Sequence, residues 1–357
     1  MIEEIEKLIL ADPRTFFPGA GGPRGLGVLL VKGSLGAHAG RVTFLVFRDK
    51  AAEPSLAVKI ARDPAGESLL ASEACALRFQ AERMSPAVSR AAPKLLYEGS
   101  CGGAAFIAEE AVPGTALGSE MAESLFFHGR KTAARLAEMA DWLGRLARES
   151  GHGGGEKRAA TTAELFRARY PLTDAETKFL DGLKGSLEGL DRECPKVFVH
   201  GDFSPMNVYF GGEGMRVIDW AESSRDGTPL HDIFFMLTCF AFDPGRAEEE
   251  GVNRLDNFSS LFFREGKRSE LAFSTIKRYL DSMRIDEGML RPLLVLFLME
   301  RANLEFEVLE RQGQRGYLIP MKPFGSDAKW ADGGLQRCGL YARLFRRLAG
   351  DHCRLIF

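Results

Sequence analysis

The chain has 357 residues, 45% of them hydrophobic and 27% charged, with a formal net charge of −2. That is the balance of a globular protein long enough for two domains or lobes. With no basic excess it does not read as a nucleic-acid binder, and no apolar run is long enough to span a membrane. None of the six cysteines stands in a CxxC or a Cys/His cluster of zinc spacing, so reduced thiols in a cytosolic protein are expected.

The first ten residues, MIEEIEKLIL, are acidic and place Ile2, Ile5, Leu8 and Ile9 at helical spacing. They predict a short helix, not a secretory signal, which would begin with basic residues. The Pro/Gly-rich stretch 18–25 is loop and is taken as a connector. Apolar runs at 26–31 and 41–48 predict two strands, the second rich in β-branched and aromatic residues. Between them lie Gly33, Ser34, Gly36, His38 and Gly40, with the spacing G-x-x-G-x-x-x-G. No Walker A motif is formed, since no GK[ST] follows. A third strand is expected over 55–60, with Lys59 inside an apolar stretch. Taken alone, such a lysine is an edge residue whose head reaches water.

The segment 67–79 has apolar residues at helical spacing, with Leu70, Ala74 and Leu77 as the inner stripe and Glu73 beside it. Strands are expected over 93–98 and 104–108 around a glycine-rich turn at 99–103. An amphipathic helix is expected over 131–149, ended by the glycines at 151–155, and one or two more helices over 161–190.

Phe198 to Asn207 reads FVHGDFSPMN, and Val217 to Trp220 reads VIDW. Val197, Phe198 and Val199 predict a buried strand that stops at a loop carrying Asp202 and Asn207. Residues 208–210 and 215–218 predict a hairpin closed by Gly211 to Gly214, where clustered glycines supply positive φ at low cost. This hairpin would bring Asp202, Asn207 and Asp219 to one end. Two carboxylates and a carboxamide arranged so suit phosphoryl transfer. A carboxylate and a carboxamide oxygen, Asp219 and Asn207, are hard ligands for Mg²⁺. A further carboxylate, Asp202, can orient and deprotonate the attacking hydroxyl. The plain alternative is a buried hairpin with polar residues at its ends. The rest of the chain, from 243 on, predicts helices and carries no motif.

HGD-x4-N followed by IDW resembles the aminoglycoside phosphotransferase/choline kinase family, which shares the protein-kinase-like fold. The resemblance implies an α+β fold of two lobes. Residues 1–110 would form an N-lobe with a small antiparallel sheet and one main helix, and residues 111–357 a larger, mostly helical C-lobe with the acceptor pocket. It implies that Gly33, Ser34 and Gly36 contact nucleotide phosphates, although their spacing departs from the protein-kinase G-x-G-x-x-G. Lys59 would grip the α and β phosphates, paired with Glu73 in preference to Glu67. Backbone groups near Glu110 and Ala111 would meet the adenine. Asp232, in the run GTPLHD, matches a family aspartate at a helix start and is expected to be structural. His200 is expected to brace the loop and not to form a metal pair with His231, because Mg²⁺ prefers oxygen ligands.

On this reading the protein is an ATP- and Mg²⁺-dependent kinase, with GTP as the other candidate donor. It would phosphorylate a hydroxyl of an aminoglycoside, amino alcohol or sugar-like small molecule. The competing reading is a catalytically weak nucleotide-binding module that acts through a partner. A protein kinase ranks last, since DFG and APE motifs are absent.

Overall fold

The structure, a computed structural model, describes residues 2–19, 21–31, 40–123, 130–153, 158–241, 254–314 and 339–350. Gly33, Ser34 and Gly36, expected to contact phosphates, lie with His38 outside the described residues. The chain forms two compact units, Met1–Glu123 with His200–Ser224, and Ser124–Val199 with Arg225–Phe357. The boundary expected after residue 110 differs from this division, which keeps 111–123 and 200–224 with the first unit. The physical reason is pairing: the short strand after Gly114 is completed by the hairpin of the HGD segment.

The first unit is built on a five-stranded antiparallel sheet of β1 (Leu26–Val31), β2 (Arg41–Arg48), β3 (Leu56–Ala61), β4 (Leu95–Cys101) and β5 (Ala104–Glu110), in the order β1-β2-β3-β5-β4. Its two faces differ in chemistry. Val46, Leu56, Val58, Ile60, Phe106 and Ala108 point to one face and pack with Ile5 and Ile9 of α1 (Ile2–Ala11) and Phe16 of α2 (Pro13–Phe16). On the other face, Ala61 and Ile107 pack with Leu70 and Ala74 of α3 (Pro64–Arg83). Side chains alternate along a strand, and Thr43, Lys59 and Ile107 stand opposite one another in the ladder. Arg41, Lys59 and Glu109 therefore share the α3 face, from three neighbouring strands.

Helix α3 begins earlier than the periodicity of 67–79 suggests. The Asp63 side chain accepts from the Gly66 N–H at 2.8 Å, and Pro64 sits in the first turn, where its missing N–H costs nothing. The inner stripe is as expected, with Leu70, Ala74 and Leu77 buried; a fully buried leucine contributes ~2 kcal/mol. The turn expected over 99–103 is narrower, because β4 runs on to Cys101. Gly102 and Gly103 alone make it, at φ of 58° and 81°.

After α4 (Pro86–Ser89), a second sheet joins β6 (Thr115–Ala116), β8 (Val208–Gly211) and β9 (Gly214–Val217) in the order β6-β8-β9, and α5 (Leu117–Glu123) follows β6.

The second unit is helical apart from the paired short strands β7 (Val197–Val199) and β10 (Ser224–Gly227). The expected helix over 131–149 is α6 (Arg130–Ser150). Residues 161–190 hold not one or two helices but parts of three: α7 (Arg158–Arg169), α8 (Asp174–Gly182) and α9 (Lys184–Glu193). The extra break comes at Thr173, whose side chain and that of Glu176 form a capping box that starts α8. The remaining helices are α10 (His231–Ala241), α11 (Arg254–Phe262), α12 (Lys267–Met283), α13 (Leu290–Gln314) and α14 (Leu340–Gly350). Phe234, Phe262 and Phe297 meet in their core. This is the α+β class and two-lobe arrangement expected from the sequence. No described helix is long and apolar enough to cross a membrane.

Candidate active site

The HGD loop is held by its own backbone and by His200. That ring is fully buried, 4.5 Å from Trp220 between centroids. Its Nε2 lies 2.9 Å from the Ile218 carbonyl, and its Nδ1 accepts from the Asp202 N–H at 3.2 Å. Those partners set the proton on Nε2, so His200 is a brace of the loop, as expected. Gly201 has φ +82°, and a Cβ there would overlap the Glu222 carbonyl oxygen. Only glycine lets the chain turn at that point.

Asn207 donates through Nδ2 to both the Asp202 carbonyl and the Asp202 Oδ2, each at 2.9 Å. The carboxamide nitrogen is thus spent on orienting Asp202, and the oxygen is the remaining polar atom of that side chain. The Ile218 N–H donates to the Asn207 carbonyl at 2.9 Å, which ties the loop to the residue before Asp219. Asp219 itself has φ +66°, a left-handed conformation uncommon for a residue other than glycine. The hairpin therefore does bring Asp202, Asn207 and Asp219 to one end.

Asp219 is linked to the α3 face of the large sheet. Lys59 Nζ donates to Glu73 Oε1 at 2.6 Å, so the partner is Glu73 and not Glu67. The same Glu73 oxygen accepts from the Trp220 N–H at 3.0 Å. Two further charged groups complete the cluster, and neither was foreseen as part of the site. Glu109 Oε1 lies 2.7 Å from Lys59 Nζ. Arg41 donates through Nη1 to Glu73 Oε2 at 2.9 Å and through Nη2 to Asp219 Oδ1. The signal for both was present only as alternation: Arg41 stands two residues before Thr43, which faces Lys59, and Glu109 two residues after Ile107.

Burial works against charge throughout this cluster, and the pairs decide the outcome. Burial opposes the Lys59 and Arg41 cations, but the surrounding carboxylates overcome it and both titrate above their usual range. Burial would likewise raise Asp219, yet Lys59 and Arg41 hold its carboxyl down at about 2. Glu109 is the exception. Burial pushes it up to about 7 against the pull of Lys59, because it also faces Glu73 and Asp219.

At the expected adenine contact, the Glu110 N–H donates to the Lys94 carbonyl at 2.9 Å and the Ala111 N–H to the Ser55 carbonyl at 3.1 Å. Both amides are engaged within the chain. The Glu110 side chain is taken by Arg216 at 3.0 Å.

Asp219 and Asn207 present two hard oxygen donors, and the Asp219 side chain is 30% exposed. Among the described residues no group of three or more His, Cys, Asp or Glu side chains could hold a metal. This donor set fits Mg²⁺, an ion that keeps waters and phosphate oxygens among its ligands, and does not fit a metal that needs a full protein cage.

The family described as Phosphotransferase enzyme family matches residues 35–263, more than half of the chain. No curated protein matches it. Among solved structures, the chain is similar to a choline/ethanolamine kinase family protein from Mesorhizobium loti, at 16% identity and a TM-score of 0.44, covering 98% of each chain. It is also similar to aminoglycoside phosphotransferase APH(3'')-Id from Streptomyces rimosus in complex with ADP and streptomycin, at 13% identity and a TM-score of 0.46. That match covers 84% of this chain and 98% of the other.

Proposed function

The chain belongs to the Phosphotransferase enzyme family, and from that premise we propose that it transfers the γ-phosphate of ATP, with Mg²⁺, to a hydroxyl of a small molecule. GTP is the other candidate donor; aminoglycosides, amino alcohols and sugar-like compounds are the acceptor classes. The observation that carries this reading is the orientation of Asp202, whose carboxylate accepts from Asn207 in a loop locked by His200.

Asp202 is half-buried and reachable by an acceptor hydroxyl. It accepts that proton and aims the oxygen at phosphorus. Lys59, held by Glu73 and Glu109, supplies a fixed positive charge for the α and β phosphates. Asp219 and the Asn207 oxygen would hold Mg²⁺, which when bound neutralises phosphate charge. Gly33, Ser34 and Gly36 are proposed for the phosphates, and backbone groups near Glu110 and Ala111 for the base.

Asp202→Asn keeps an acceptor oxygen for Asn207 but removes the base. Turnover is expected to fall by about 10²–10⁴-fold, with nucleotide affinity within about twofold of the parent. Retention of parental turnover with a confirmed acceptor would sink the assignment. One observation favours the second reading, a weak nucleotide-binding module: Asp219 is already engaged by Arg41. Absence of phosphoryl transfer to every acceptor class, with nucleotide binding intact, would select it.

A further inference from the structure

The carboxylate proposed to hold metal already carries a cation. Arg41 opens β2, is 6% exposed, and has each arm of its guanidinium on a different carboxylate, Glu73 of α3 and Asp219 beyond β9. The guanidinium is planar and its N–H groups are fixed in a fork, so two carboxylates gripping the two arms set its position and tilt. A buried cation that lost one of these partners would be left with charge uncompensated, which resists its release from Asp219.

The charge balance of the cluster points the same way. Arg41 and Lys59 stand against Glu73, Glu109 and Asp219, so the cluster carries at most one net negative charge, reached with all five ionised. One divalent ion at Asp219 suits that balance; a second would leave a strong excess of positive charge before any phosphate arrives. Asp219 Oδ1 is the atom occupied by Arg41. Phosphoryl transfer in protein kinases uses two Mg²⁺ ions, and elsewhere an arginine takes over part of that charge stabilisation.

We infer that Arg41 is a built-in second cation of the phosphate site: its guanidinium holds the Oδ1 side of Asp219 where a second divalent ion would bind, so the chain takes one divalent ion with its nucleotide. This rests on the reading of Asp219 and Asn207 as the metal-holding pair. Arg41 is then a positioning residue, which fixes Asp219 and offers positive charge to the phosphates from β2.

The test counts bound Mn²⁺ by electron paramagnetic resonance, with saturating ADP, on the full chain. The parent is expected to bind one Mn²⁺ per chain and Arg41→Gln two. Arg41→Lys, which keeps the charge, is expected to bind one. Should Arg41→Gln fail to fold, Arg41→Met, which also removes the charge and leaves Glu73 in place, carries the same expectation of two. Two ions in the parent, or one in both the parent and the uncharged variant, overturns the inference and leaves the metal pair standing. No ADP-dependent Mn²⁺ binding in any of them defeats the metal pair itself, and the inference with it.

Discussion

Glu109 and Lys59 are 2.7 Å apart and both buried, yet only the lysine is held firmly in its charged form. The ammonium has two carboxylates in contact, whereas Glu109 is pushed up by its burial and by two like charges, with Lys59 pulling the other way. Its pKa rises from the usual 4.5 to about 7. An acid raised on folding keeps its proton longer in the folded state than in the unfolded one. Its contribution to stability is therefore fully present below about pH 4.5 and declines until pH passes about 7. Glu109→Gln retains an oxygen for Lys59 and cannot ionise. Its unfolding free energy, measured by urea titration and compared with the parent, is expected to improve steadily between about pH 5 and pH 8. A difference independent of pH would show that Glu109 does not titrate in this range. Asp219 works in the opposite direction: held at about 2, it contributes above its usual 3.8, and that contribution is lost as pH falls toward 2.

At the scale of elements, the cluster depends on how closely α3 approaches the start of β2. Gly40 immediately precedes Arg41, and its carbonyl accepts from the Arg62 N–H at 2.7 Å. A Cβ on Gly66, in the first turn of α3, would fall inside that same carbonyl oxygen. Two glycines in contact thus bring the strand carrying Arg41 against the helix carrying Glu73. Gly66→Ala is expected to destabilise by ~1–3 kcal/mol through overpacking, although alanine has the better helix propensity. It should also weaken nucleotide binding by displacing Glu73 from Lys59. An alanine variant as stable as the parent in denaturant would show that the contact is not needed. These dependencies mark what was legible from the sequence. The HGD hairpin was, because Gly211 to Gly214 punctuate it and its polar residues lie within a short span. Lys59 was, since a lysine inside an apolar run is conspicuous. Arg41 and Glu109 looked like the polar ends of ordinary strands, and only the register between separate strands places them beside Lys59. The engaged amides of Glu110 and Ala111 were equally invisible, because their acceptors, Lys94 and Ser55, come from other strands or strand ends.

At the scale of the whole molecule, the first unit is discontinuous in sequence. Segment 200–224 supplies β8 to β6, the Val217 N–H to the Ala91 carbonyl at 2.7 Å, and the Trp220 N–H to buried Glu73. It also supplies Asp219 to Arg41, a contact across 178 residues of chain. Without that segment, Arg41 keeps one carboxylate of its two, and the cluster loses the balance that offsets its desolvation. The apolar faces of the large sheet remain covered by α1, α2 and α3, so the remainder should stay compact while losing cooperativity. A polypeptide of residues 1–123 is therefore expected to melt broadly and to give poorly dispersed amide signals by NMR. The same polypeptide joined through a flexible Gly/Ser linker to residues 200–224 is expected to melt in one cooperative transition. The linker replaces a long intervening segment at a loop-closure cost that grows only slowly with length, so it does not decide the outcome. If residues 1–123 alone melt as sharply as the joined chain, the HGD hairpin is an appendage of this unit and not part of its core.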